Sequence, residues 1–379
     1  MFHMYIYAKQ KFCRFLTVSR KKRTNHTVQE SLLLSNHILL ILVRFHKSKQ
    51  NRQVSSPFPA GSVCLEVFIL SERYYTASAY YLSKFGRPVQ KAVLDIGCTC
   101  PNIDGTISSG GCLFCDGGSG HFTHPGTVAR QLEQERQRIR ASVPDAGLIA
   151  YFQAHTNTYG NLAYLRRCYL EALEQPDVVG ISIGTRPDCL PAEILSLLEE
   201  IAEKTSLTVE LGLQTVHDKT ACFFHRGYDF PAFVQAFSAL RKRGIRICVH
   251  IINGLPGEMD ADMLETARVL GKMQPDGIKI HLLHILKGTP LEQLWKSGKV
   301  QPLSMAEYVQ ITAAQLALLP PETVIERLTG DGAADCLAAP LWSLDKLAVR
   351  NAIAQHLKRA GSWQGKYFSK SKPPVKRVV

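Results

Sequence analysis

Residues 93–115 read VLDIGCTCPNIDGTISSGGCLFC, an apolar run that ends in a cysteine loop. Val93–Gly97 is the first strand-like stretch of a regular series, and Cys98, Cys100, Cys112 and Cys115 come after it within 18 residues. Cys112 and Cys115 form a close pair. Gly105, Gly110 and Gly111 let the backbone curl back and bring in Cys100. Three thiolates so placed can wrap one soft metal centre. They are too few for a closed structural zinc, which wants four ligands, and they suit a 4Fe–4S cluster that keeps one iron open. With Cys98 four cysteines are available and a zinc ribbon is the alternative, though residues 98 and 100 of a strand project to one face and a C-x-C pair is not the usual C-x2-C zinc knuckle. Free core thiols are a third reading, and the seven remaining cysteines are scattered as small hydrophobes.

Outward from this loop, strand-like runs alternate with amphipathic ones. The strands read Val93–Gly97, Leu148–Phe152, Val178–Ile183, Thr208–Leu213, Ile247–Ile252, Gly277–Leu283 and Val324–Leu328. Helical stretches lie between them at 127–139, 164–173, 193–202, 233–243, 262–273 and 305–318, and a last helix runs over 344–359. In the fourth, Phe233, Phe237 and Leu240 share one stripe at i, i+4 and i+7. Six or seven consecutive βα units predict an α/β fold, a TIM-like barrel, complete or partial, with its chemistry at the C-terminal ends of the strands.

The flanks differ from this body. Residues 1–54 carry eleven Lys/Arg and one acid, Glu30, and residues 346–379 carry nine Lys/Arg and no acid, which leaves residues 55–345 at −6 within a net charge of +13. Residues 1–70 show no sustained period and read as a basic, disordered extension. Residues 71–330 read as the barrel with its cysteine loop at 98–115, and 331–379 as a helix and basic tail. No run of 18 apolar residues occurs, so no membrane span is expected. The sparse cysteines argue against a disulfide scaffold and for a reducing, cytoplasmic setting.

With these motifs the chain resembles the radical S-adenosylmethionine (radical SAM) superfamily: a three-cysteine loop after the first barrel strand, with an aromatic before the last cysteine. The usual spacing there is C-x3-C-x2-C. The C-x11-C-x2-C seen here is similar to the Elongator-catalytic-subunit branch, and closer to a bacterial subgroup with a TCPN-x-DGT…GGC-x-FC loop, Thr99–Thr106 and Gly110–Cys115 in this chain. Further segments agree in order: 153–158 (QAHTNT), 184–188 (GTRPD), 210–214 (ELGLQ), 225–227 (HRG), 254–258 (GLPGE), 288–290 (GTP) and 327–330 (RLTG).

The resemblance implies that Cys100, Cys112 and Cys115 hold three irons of a 4Fe–4S cluster and that S-adenosylmethionine (AdoMet) chelates the fourth. Reduction by an electron donor of flavodoxin or ferredoxin type then cleaves AdoMet to a 5′-deoxyadenosyl radical. Phe114 would lean toward the adenine, and no conventional acid–base pair is expected. Gln153 and Asn157, closing the second strand, would read polar groups of AdoMet or substrate. Thr185 and Arg186 close the third strand, where Arg186 would grip a carboxylate or phosphate with Asp188 orienting it; the plain alternative is a loop ion pair. Glu210 and Gln214 lie four residues apart on one strand face. A carboxylate among Val209, Leu211 and Leu213 is costly without a partner, so Glu210 reads as a ligand to AdoMet or as a structural salt bridge. Arg226 would meet the AdoMet carboxylate. The Gly254–Gly257 turn, with Pro256 inside it, would let backbone approach the adenine or ribose. His281 and His284 read as satisfied core groups.

Three functions compete: a radical SAM enzyme, acting on a tRNA uridine or else on a small molecule or protein; a zinc-stabilised RNA-binding protein without catalysis; and an iron–sulfur scaffold that senses redox state. A basic strip around Trp363, Tyr367 and Phe368 supports RNA.

Overall fold

The computed structural model describes residues 73–115, 123–330, 332 and 334–369. The expected extension 1–70 and the last basic residues from Lys370 lie outside the described residues.

Seven strands form one parallel sheet in the order β1 (Val89–Leu94), β2 (Gly147–Phe152), β3 (Val178–Thr185), β4 (Ser206–Gln214), β5 (Arg246–Asn253), β6 (Gly277–Leu282) and β8 (Val324–Arg327). Strands succeed one another in chain order, each joined to the next by a crossover, and the sheet curls into a half-barrel. The crossovers carry α2 (Val128–Arg140), α3 (Leu162–Leu173), α4 (Ala192–Lys204), α5 (Asp218–Phe223), α6 (Phe230–Lys242), α7 (Asp260–Met273), α8 (Pro290–Lys296) and α9 (Met305–Leu318). The stripe on α6 behaves as its spacing dictates. Phe233, Phe237 and Leu240 are buried in the core with Val209, Ile247 and Val249 of the sheet. The helix starts three residues earlier than its apolar period, because the Asp229 carboxylate accepts from the Ala232 N–H and caps it.

The first strand is a correction. It ends at Leu94, not Gly97, because the Asp95 N–H donates to the Gln131 side chain and the Asp95 carboxylate accepts from the Gly97 N–H. Cys98 and Cys100 therefore sit in a loop, and the same-face argument for a strand does not apply to them.

Helix α1 (Ala77–Phe85) spans the seam between the edge strands β1 and β8. The Ile325 N–H donates to the Tyr75 carbonyl just before it, and its Tyr81 hydroxyl donates to Glu326. Sequence periodicity gives no sign of this plug, nor of the antiparallel pair β7 (Ile285–Leu286) and β9 (Leu337–Ala339), which is too short to show a period. The last helix, α10 (Lys346–Arg359), comes after a 3-10 turn at Leu341–Leu344. The segment beyond α10 is tied to the barrel. The buried Gln364 amide donates to the Pro320 and Thr323 carbonyls, and its oxygen accepts from the Tyr75 N–H. No helix among the described residues is long and apolar enough to cross a membrane.

Candidate functional site

The cysteine loop leaves β1 and folds over the C-terminal ends of the strands. The Ile103 N–H donates to the Cys100 carbonyl, Gly111 to the Asn102 carbonyl and Cys115 to the Cys112 carbonyl, so the loop closes on itself. Leu113 then anchors it on both sides: its N–H donates to the Phe224 carbonyl and its carbonyl accepts from the Leu291 N–H. Gly111 has φ +75°, and a Cβ there would meet Ile103 at 3.2 Å and lie 3.8 Å from the Cys115 sulfur, so only glycine fits the cradle.

Cys100, Cys112 and Cys115 line one cavity of about 440 Å³ together with Phe114, Gln153, Thr185, Arg186, Glu210, Gln214 and Arg226. Cys98 does not. It is buried in the main core beside Cys168 and Tyr169, and faces a larger groove of about 980 Å³ that contains none of the three. The donor set thus fits a three-cysteine centre. N–H groups aim at the sulfurs: Asn102 Nδ2 lies 3.6 Å from Cys112 Sγ and Arg186 Nη1 3.9 Å from Cys100 Sγ. Burial pushes the Cys112 thiol up to about 12, with Cys115 adding to it and Arg186 and Asn102 opposing.

The arginines are committed within the protein. Asp188 takes the Arg186 fork at 3.0 and 2.7 Å, and the remaining nitrogen donates to the Arg226 carbonyl and points to Cys100. Arg226, almost fully buried, donates to the carbonyls of Leu213, Thr215 and Tyr228 and to the Asp218 carboxylate. It braces the β4 end and lines the cavity. Thr185 pairs its hydroxyl with Thr158 at 2.5 Å, and the Gln214 amide oxygen accepts from the Tyr228 hydroxyl. Phe114 tilts against Phe224 at 5.4 Å between centroids.

Other expected residues stay away from the cavity. Asn157 is fully buried behind the wall, where its amide donates to the Ala154 and Gly184 carbonyls. Gly254, Pro256 and Gly257 do not line the cavity, and Gly254 packs close to Leu303. That turn is a β5–α7 connection.

Below the cysteines the half-barrel holds a charged floor. The Glu210 carboxylate accepts from Ser182 at 2.5 Å, Lys91 at 2.7 Å and Lys279, and pairs with His250 at 2.7 Å. This is the salt-bridge reading of Glu210, extended to four partners. Burial alone would raise its carboxyl, yet Lys279, Lys91 and His250 hold it well below the usual carboxylate range. Glu326 carries Lys91 at 3.1 Å and Arg246 at 3.0 Å. Lys91 and Lys279 both lie over the Tyr151 ring, and Lys279 donates to its hydroxyl. Burial, then Lys279, pushes the His250 imidazole down to about 4 against the pull of Glu210. Of this floor, sequence reasoning names only Glu210 and His281. The missed signal is a polar residue at every second position on otherwise apolar strands: Arg246, Cys248 and His250 on β5, Lys279 and His281 on β6.

Residues 103–270 match the radical SAM superfamily, and residues 275–359 match the radical SAM C-terminal domain. Over 319 residues the chain is 44% identical to the protein YtqA of Bacillus subtilis (strain 168), covering 83% of this chain and 97% of that protein. The chain belongs to the radical SAM superfamily. This radical SAM enzyme is also 32% identical, over 183 residues, to a tRNA uridine(34) acetyltransferase of Dehalococcoides mccartyi (strain CBDB1), covering 47% of this chain and 38% of that one. The solved structure of the archaeal Methanocaldococcus infernus Elp3 shares its fold, with a TM-score of 0.57 at 16% identity over 73% of this chain. The chain spans 64% of that structure.

Proposed function

We propose that this radical SAM enzyme holds a 4Fe–4S cluster on Cys100, Cys112 and Cys115, binds AdoMet in the adjoining cavity, and acts on a uridine of tRNA. The observation that carries the cofactor reading is the shared cavity, which takes in these three cysteines and excludes Cys98. When bound, the cluster supplies the electron, drawn from a flavodoxin- or ferredoxin-type donor, that cleaves AdoMet reductively to a 5′-deoxyadenosyl radical. The chain's own residues orient and shield. Asn102 and Arg186 donate toward the sulfurs, Arg226 fixes the end of β4, and Ile103, Phe114, Ile252 and Leu283 give the cavity apolar walls that keep water out.

The tRNA reading draws on the names of the acetyltransferase and Elp3 relatives and on a surface near the C-terminus. Trp363 and Tyr367 are 51% and 65% exposed, and Lys366 lies over both rings. Exposed aromatics beside a cation suit base stacking and phosphate contact. Because Gln364 is locked to the barrel, the test replaces the exposed rings and spares the segment. The Trp363→Ala/Tyr367→Ala double variant is expected to bind tRNA about tenfold more weakly, since stacking contributes roughly 1–3 kcal/mol per base. Binding by the parent should fall steeply between low and moderate salt. Equal, weak, salt-independent binding by both proteins would contradict RNA and leave a small-molecule or protein substrate.

A further inference from the structure

Side chains alternate along a strand, so the residue two positions on from each member of the charged floor forms the next layer of the cavity wall. From Tyr151, Ser182, Glu210, His250 and Lys279 that layer is Gln153 just past β2, Gly184 on β3, Gly212 on β4, Ile252 on β5 and His281 on β6. All five line the cysteine cavity. Gly184 and Gly212 sit on adjacent strands and present only backbone. A Cβ on Gly184 would come within 3.3 Å of the Phe152 carbonyl, and one on Gly212 within 2.7 Å of the Gln214 side chain. Glycine inside a strand marks a place where a ligand or another backbone comes close. Here the two leave a shelf on which a flat group can lie, with Ile252 and His281 standing at its side.

His281 is not the satisfied core group that its place in the sequence suggests. Its Nε2 is buried and has no hydrogen-bond partner among the described residues. The ring leans on His250 at 5.3 Å between centroids, but His250 commits its own Nε2 to the Glu210 carboxylate at 2.7 Å. A buried polar nitrogen without a partner carries a standing cost that a ligand atom removes.

We propose that His281 reads the base of the substrate: uracil lies on the shelf over Gly184 and Gly212, and the His281 Nε2–H donates to a carbonyl oxygen on its edge. Burial, with His250 adding to it, holds the imidazole well below its ordinary value, so it meets the base as a neutral ring. A neutral imidazole carries one N–H and one lone pair, and in water the Nε2–H tautomer is the commoner form. A donor at that point accepts uracil and opposes cytosine, which turns an amino group to the place of the O4 carbonyl. Enzymes that act on a base take it out of its stack into a pocket and hold it by this edge. The inference rests on the reading of the substrate as a tRNA uridine, and it names the residue that recognises the base.

The test titrates the trinucleotides UpUpU and CpCpC calorimetrically into full-length, cluster-reconstituted protein in the presence of AdoMet. The two carry the same phosphates, so the backbone contribution is common to both and their difference reports the base. The parent should bind UpUpU about tenfold more tightly than CpCpC, the effect of one buried hydrogen bond made or lost. In His281→Phe that preference should disappear through weaker UpUpU binding. His281→Leu should act alike, which keeps the test decisive if one variant folds poorly. His281→Gln, whose amide still donates, should recover part of the preference. Equal binding of the two trinucleotides by the parent, an undiminished preference in His281→Phe and His281→Leu, or loss of AdoMet binding in step with UpUpU binding would each overturn the assignment. A parent that binds tRNA with the expected salt dependence and shows no UpUpU preference loses the role of His281 and keeps the proposed function. A parent that keeps the preference but binds tRNA weakly and without salt dependence does the reverse.

Discussion

Cys112→Ala, purified and reconstituted without oxygen, comes out with almost no bound iron, and Cys100→Ala and Cys115→Ala behave alike. A cluster held by three protein thiolates has no spare ligand, so each loss removes a third of its attachment. Cys98→Ala keeps most of the iron, because its sulfur is packed in the core away from the cavity. The cost there is a small core void of the kind that lowers stability modestly. Iron and sulfide analysis with visible absorption reads both outcomes. Full iron in Cys112→Ala would exclude the three-cysteine centre. A colourless parent that binds zinc would favour the four-ligand alternative.

The second large effect concerns stability. Glu210→Ala should destabilise the fold by about 3–5 kcal/mol, the usual result of removing one partner from a buried ion pair. Its carboxylate is fully buried among Lys91, Lys279, His250 and Ser182. Without it Lys279 keeps, among the described residues, the Tyr151 hydroxyl and ring, whereas Lys91 still has Glu326. Chemical denaturation at neutral pH measures the loss. The parent's pH profile carries the same information. Glu210 is held below its unfolded value, so its contribution is fully present above about pH 4.3 and disappears as the pH falls through the lowered native value. The Ala variant should therefore show a flatter acid limb. An unchanged denaturation midpoint would show that the four partners add nothing net.

Much of this architecture is legible in the sequence because parallel strands covered on both faces read as dense apolar runs. Six of the seven expected strands differ by at most two residues at either end from those observed. The first strand shifts because one side-chain capping pair, Gln131 with Asp95, ends it early, and a contact 36 residues away in sequence leaves no local period. The three-cysteine set without Cys98 is the reading that the sequence already favours, and the structure adds that Cys100, Cys112 and Cys115 line one cavity while Cys98 packs in the core. The two arginines both line the cavity, and the partners they find in the fold are not all legible in sequence. Arg186 and Arg226 stand at strand-end loops, where a free fork binds ligands, but Asp188 and three backbone carbonyls saturate them in the fold. Gly254 packs close to Leu303, and the Gly254–Gly257 turn does not line the cavity. Lys91, Tyr151, His250 and Lys279 escape a sequence reading because no single one is a motif; they meet around Glu210 only when the sheet brings their strands together.

The most direct measurement is AdoMet cleavage by the anaerobically reconstituted, chemically reduced protein, monitored as 5′-deoxyadenosine by liquid chromatography. The parent should release 5′-deoxyadenosine and methionine in equal amounts, and Cys112→Ala should release neither. Absence of 5′-deoxyadenosine from a parent that carries its full cluster and binds AdoMet would contradict the account.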